Sequence, residues 1–97
     1  MITLQKDFKN KLIEIMEMSR RINNNDKQKI LNMMKEHVDE IDERYNNQDE
    51  HWAIETADLI VLSYELLLME NKVIDYVFSR CLPRFDIKLN RLLEDES

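Results

Sequence analysis

The stretch from His51 to Met69, HWAIETADLIVLSYELLLM, limits most strongly what this chain can become. From Ala57 onward it is apolar on nearly every side, the pattern of a helix buried on most faces. Three acids interrupt it. At ~100° per residue, Glu55, Asp58 and Glu65 fall on one side, with His51 beside them. Burying a carboxylate without a partner costs several kcal/mol. A helix this apolar therefore needs something positive against its acids, and a divalent cation is the economical candidate.

Composition narrows the fold around that helix. Glycine is absent and Pro83 is the only proline, so the turn residues that sheets and hairpins need are missing. Charged residues are 35% and hydrophobic ones 43%, the mixture of amphipathic helices rather than disorder. Ninety-seven residues make one small domain, 1–97. A chain this short buries only about 60–65% of its surface, so an apolar central helix suggests further burial against other subunits.

The net charge is −6, from 20 acids against 14 Lys and Arg. This disfavours duplex nucleic acid, which needs clustered cations for its phosphates. Cys81 is alone, so no internal disulfide forms and a reducing compartment fits; the residue reads as a half-buried helix thiol. No signal-peptide pattern opens the chain, and the longest apolar run is shorter than the ~20 residues a bilayer span needs. The expectation is a soluble, cytoplasmic protein with no membrane partner.

Along the chain, Thr3 to Arg20 reads as a first helix, with Leu4, Phe8, Leu12 and Ile15 on one face and Met16 and Met18 beside them. Asn23-Asn24-Asn25 breaks it, and Asn25 with Gln28 forms an N-cap pattern for a second helix. Leu31, Met34, Val38, Ile41 and Tyr45 line that helix, and Asn46-Asn47 ends it. Asn47 with Glu50 caps the central helix in the same way, and Asn71 supplies a left-handed stop. A further helical segment, Val73 to Leu82, meets Pro83, which either kinks it or starts a short fifth helix, Arg84 to Leu93. Glu94 to Ser97 is expected to fray. The fold class is all-α, an antiparallel bundle of four to five helices.

The second helix carries Glu36, His37, Asp39, Glu40 and Glu43. His37 and Glu40 lie on the border of its apolar face. A short Asn-rich turn favours antiparallel packing on the central helix, which brings this border opposite Glu55 and Asp58. Acids from two helices make an oxygen-rich cage of the kind Mg²⁺ takes, with waters left for a phosphate to replace. Against this stands the ordinary reading of Glu36, Asp39 and Glu43 as a solvated face. His51 reads as a surface residue, and Trp52 as core or as a base-stacking platform. Met16, Met18, Met33, Met34 and Met69 read as core filler, and Tyr64 and Tyr76 as buried rings with wet hydroxyls.

Glu36-His37-Val38-Asp39-Glu40-Ile41, followed after a gap by Glu55-Thr56-Ala57-Asp58-Leu59, resembles the MazG-like all-α nucleoside triphosphate pyrophosphohydrolases, which carry E-E-x-x-E-L on one helix and E-x-x-D on the next. The segment Asp75 to Arg80, then Arg84-Phe85, is similar to the family's tail of a Lys, an Asn and a further basic residue. The resemblance covers about residues 30 to 90 and departs at two places. His37 stands where the family has a magnesium-binding Glu, and an imidazole suits Mn²⁺, Zn²⁺ or Ni²⁺ better than Mg²⁺. Arg84 stands where the family tends to have Asn.

The resemblance implies hydrolysis of a nucleoside triphosphate to the monophosphate and pyrophosphate, with Mg²⁺ or Mn²⁺, in a homodimer or homotetramer, and a role in clearing aberrant nucleotides. On this reading Glu40, Glu55 and Asp58 hold metal, with Glu36 or His37 completing the shell. Glu36 or Glu43 orients or deprotonates the attacking water. Arg80, Arg84 and Lys88 form a cationic row at i, i+4 and i+8 that clamps the phosphates, or a solvated face paired with the abundant acids. No Gly-rich phosphate loop exists. The alternative is a degenerate helical homo-oligomer acting as a binding or regulatory module, and a third reading is a helical partner-binding protein unrelated to nucleotides.

Overall fold

The computed structural model describes residues 6–96, which form four helices: α1 (Lys6–Ile22), α2 (Lys27–Asn46), α3 (Trp52–Met69) and α4 (Ile74–Glu96). No strand occurs among the described residues, so the all-α expectation holds. The expected start at Thr3 and the face residue Leu4 lie outside the described residues. None of the described helices is long and apolar enough to cross a membrane.

The breaks follow local chemistry, but two caps differ from expectation. The α1–α2 turn takes Asn24 and Asn25 into the left-handed region, both at φ 56°, where asparagine is one of the few side chains tolerated. Asn25 therefore cannot serve as the N-cap. Asp26 does, its carboxylate accepting from the Lys29 N–H at 3.2 Å. At the head of α3 the N-cap position is His51, without a side-chain bond. Asp49 supplies the local acceptor instead, taking the His51 N–H at 2.9 Å. Asn47 closes α2, and Asn71 ends the α3 turn at φ 56°, both as the sequence indicates.

Pro83 does not divide the last segment. One helix runs through it from Ile74 to Glu96, so neither a fifth helix nor a frayed 94–96 end is present. The ring removes one N–H from the ladder, a cost that a long helix with intact turns on either side can carry.

α3 is the hub. It packs lengthwise on α2 and over a shorter length on α1, while α4 makes at most marginal contact with the other three. The α2–α3 pair is antiparallel: Lys27 at the start of α2 pairs with Glu70 just past α3 at 2.6 Å, and His37 and Arg44 lie against the first turns of α3. The apolar core where the three meet is thin, made of Met16, Ile30 and Leu62.

Several apolar residues expected inside lie outside. Phe8, Ile15 and Met18 on α1, and Leu31, Val38 and Tyr45 on α2, are exposed. Met33, Met34 and Met69 are half-buried. Tyr64 is half-buried, but Tyr76 is exposed. The expectation that α3 is covered on most faces also fails within one chain. Glu55, Leu62 and Glu65 are buried, whereas Ala53, Ile54, Ala57 and Ile60 form an outward strip. Three helices give α3 too few neighbours.

Glu65 is 1% exposed and faces α1. The Ser19 hydroxyl donates to its Oε2 at 2.9 Å, and Asn23 Nδ2 donates to the Ser19 oxygen at 3.1 Å. The other carboxyl oxygen, Oε1, is buried without a hydrogen-bond partner. One hydroxyl therefore carries most of the polar attachment of α1 to α3. Replacing Ser19 by Ala leaves this carboxyl without its donor and is expected to destabilise the fold by about 1–3 kcal/mol, read as a lower urea midpoint at constant m-value.

Candidate metal centre

The sequence places Glu55 and Asp58 three residues apart near the start of α3, and the antiparallel pairing brings the middle of α2 to the same level. His37 is the residue that closes the arrangement. Its Nε2 lies 3.5 Å from Glu55 Oε2 and 3.6 Å from Asp58 Oδ2. One donor atom from each of His37, Glu55 and Asp58 lies within 4.8 Å of the others. Glu55 is buried, His37 is half-buried and Asp58 reaches solvent, so the cluster opens on one side.

The tautomer of His37 is fixed by α2 itself. Its Nδ1 lies 2.8 Å from the Met33 carbonyl. A carbonyl only accepts, so Nδ1 carries a proton and donates. The atom left facing two carboxylates is Nε2. As a bare lone pair it would repel two carboxylates, so the contact calls for a proton, on Nε2 or on a facing carboxyl, or for a cation between the three groups. Metal–ligand bonds near 2.1 Å set neighbouring donors about 3.0–3.4 Å apart, close to the spacing here. The Met33 contact is the outer bond that metal-binding histidines ordinarily make.

Glu40, expected as a ligand, stands beside the set and is not one of its three converging donors. It lies one turn along α2 from His37 and shares a hydrogen bond with Glu55, which raises the Glu55 carboxyl above its usual 4.5. Burial and the negative charges of Glu40 and Asp58 push the same way, while His37 opposes. His37 is held above its usual 6.5, first by the Met33 carbonyl and then by Glu55, Asp58 and Glu40, against desolvation. These are the marks of crowded acids short of positive charge.

His51 and Arg44 on the other side of Glu55 complete its surroundings. His51 Nε2 is 3.4 Å from Glu55 Oε1, although His51 itself is exposed. Arg44 Nε is 4.0 Å from the same oxygen, and its terminal nitrogen holds Asp49 at 2.9 Å. Arg44 is absent from the sequence reading. Its position one turn after Glu40 on the α3-facing side of α2 was the available signal. The bond from the His51 N–H, followed by Arg44, keeps Asp49 ionised below its usual 3.8.

The other candidates are dispersed. Glu43 lines a hollow of about 240 Å³ with Glu40, Arg44, Asn47 and Asp49, next to the centre. Glu36 is exposed on α2 outside the three converging donors. Glu65, on the same stripe of α3 as Glu55, is used by α1 instead. Arg80, Arg84 and Lys88 lie along α4, which makes at most marginal contact with α2 and α3, so the structure does not bring the expected phosphate clamp to the three converging donors. Trp52 is neither core nor free. Its ring meets Tyr45 edge-on, with centroids 5.5 Å apart, at the same end of the α2–α3 pair. No family model, curated protein or solved structure matches this chain.

The two raised groups give metal-free protein a defined pH response. A raised folded value means that stability is full below the unfolded value and lost as pH rises through the folded one. Both Glu55 and His37 have this sign, starting near 4.5 and 6.5. With a chelator present, the melting temperature should therefore fall as pH rises above the ordinary Glu value of 4.5 and again above the ordinary His value of 6.5. Saturating Mn²⁺ replaces the protons and should flatten the upper part of that curve.

Proposed function

We propose that this chain is a metal-dependent nucleoside triphosphate pyrophosphohydrolase of the MazG-like kind, acting in a reducing, cytoplasmic setting as a homo-oligomer. The observation that carries the reading is the convergence of His37, Glu55 and Asp58, with Glu40 beside them, from the two helices that hold the E-H-x-x-E and E-x-x-D motifs. The donors are fixed by helix packing rather than by a loop, as a site of constant geometry requires.

Each residue has a role its surroundings support. His37, Glu40, Glu55 and Asp58 hold the cation, with Met33 orienting the imidazole. A bound divalent ion neutralises phosphate oxygens as charge builds on them. Glu43 suits the attacking water better than Glu36, because it sits in the hollow beside Glu40. Water oxygen bonds to the α-phosphorus, the bond to the bridging oxygen breaks, and pyrophosphate leaves. Arg44 keeps positive charge at the rim, and Tyr45 with Trp52 offers an aromatic edge near the mouth. The imidazole favours Mn²⁺ over Mg²⁺.

The same histidine favours a second reading, in which the centre binds metal or nucleotide without turnover and the protein is a regulatory module. Incubation with mixed nucleoside triphosphates and Mn²⁺ or Mg²⁺ separates the two. The proposal expects pyrophosphate release that is stronger with Mn²⁺ and reduced to background by Glu55→Gln or Asp58→Asn. His37→Glu should move the preference toward Mg²⁺. Absence of release with every nucleotide, together with metal-induced stabilisation, would assign the chain to the binding class.

A further inference from the structure

The pairing of α2 with α3 gives the Glu55 carboxylate two different sides. Oε2 faces the converging donors, with His37 Nε2 at 3.5 Å. Oε1 faces the other way, to His51 Nε2 at 3.4 Å and Arg44 Nε at 4.0 Å. The last torsion of a Glu side chain is broad and roughly two-fold, so the two oxygens exchange places easily unless something holds one of them. The α2–α3 turn supplies that hold.

Asp49 is the pivot of the turn. Its Oδ2 accepts from a terminal nitrogen of Arg44 at 2.9 Å, and its Oδ1 accepts from the His51 N–H at 2.9 Å. Its own N–H donates to the Arg44 carbonyl at 2.9 Å, so Arg44 and Asp49 are joined by backbone and by side chain. Both residues that reach Oε1 are thus tied to one carboxylate. Arg44 acts as a fork, with Nε toward Glu55 and a terminal nitrogen on Asp49. A planar guanidinium spans two acceptors in fixed geometry, whereas a lysine ammonium is a single point of charge.

Stability alone does not account for this arrangement. The Arg44 and Asp49 side chains are 39% and 45% exposed, and exposed pairs of this kind add little to a fold. The backbone beside them is also held in an unfavourable region. Among the described residues the left-handed positions are Asn24, Asn25, Asn71 and Gln48. Asparagine is tolerated there, but the longer glutamine lacks the short polar side chain that makes it so. Gln48, at φ 58°, immediately precedes Asp49. A residue kept in such a region by its neighbours is a mark of a turn shaped for a site.

We infer that Asp49 and Arg44 are positioning residues of the metal centre: they hold His51 and the guanidinium on Glu55 Oε1 and so present Oε2 to His37 and Asp58. The role toward the cation rests on the metal-dependent function proposed above; the hold on Oε1 does not. Arg44 by itself would repel a cation bound nearby, and Asp49 cancels that charge while keeping the fork in place. Removal of an outer contact of this kind ordinarily weakens metal binding by about 10- to 100-fold.

Titration of the full chain with Mn²⁺, followed by the electron paramagnetic resonance signal of free Mn²⁺, tests the role. The double variant Arg44→Ala, Asp49→Ala removes the fork without changing net charge and should bind about 10- to 100-fold more weakly than wild type. Arg44→Lys keeps the charge but not the fork and should be weakened as well. Circular dichroism and metal-free melting are recorded for each, because a merely structural role would lower the melting temperature and leave the Mn²⁺ affinity of the folded protein unchanged. Wild-type affinity in either variant overturns the inference. The hold on Oε1 is read without metal from the Arg44 Nε–H resonance, which should shift in Glu55→Gln and in Asp49→Ala. A resonance indifferent to both changes also overturns it. If the resonance responds but wild type binds no Mn²⁺, the metal-dependent reading fails and the role toward the cation falls with it, while the hold on Oε1 stands.

Discussion

The structure depends on how Glu55 is surrounded. This carboxyl is buried in the first turns of the most apolar helix and touches groups from both sides: His37 and Glu40 from the middle of α2, Arg44 from its end, and His51 from the turn before α3. Those contacts fix the register of α2 on α3, because a shift by one residue would turn His37 and Glu40 about 100° away from the centre. Apolar packing alone would hold this register weakly, since α3 is apolar around most of its circumference and presents similar surfaces at several rotations. Polar specification of an apolar helix is thus combined with a cluster whose protons or cation cannot be dispensed with.

Glu65 shows that the same residue type on the same stripe can be handled differently. It lies two to three turns beyond Glu55, where α1 rather than α2 covers α3, and it meets a hydroxyl instead of an imidazole. One oxygen is bonded and the other is not. The stripe of three acids is therefore two separate solutions to the burial of charge. Glu55 and Asp58 share a cluster that can accept a cation, and Glu65 joins the first helix to the third.

Much of this was legible in the residues. The helical breaks follow from the Asn clusters, and Asn71 takes its left-handed turn because no glycine is available. The facing of His37 and Glu40 on Glu55 and Asp58 follows from helical spacing plus an antiparallel turn. The misplacements share a cause. Asn25 and Asp26 are both competent caps, and only the backbone path of the turn decides between them. Pro83 could end a helix or sit within one, a choice set by the turns around it rather than by the ring. Arg44 is not legible as a site residue, because a cation four residues after a carboxylate reads as an ordinary surface pair until the partner helix brings Glu55 to it. The exposure of Phe8, Tyr76 and Ile60 was hidden for another reason. Periodicity states which face is apolar but not whether one chain has enough helices to cover it.

That last distinction links the fold to its chemistry. Among the described residues three helices bury a core of three apolar side chains, and the fourth adds nothing to it, so hydrophobic burial there is near the lower limit of what stabilises a fold. The apolar residues left uncovered, on α4 and on the outward side of α3, lie beside charged ones, Arg80, Arg84 and Lys88 on the one helix and Asp58 on the other. The carboxylate cluster is tolerable over so thin a core because His37 and Arg44 of the neighbouring helix bring a ring nitrogen and a guanidinium against it.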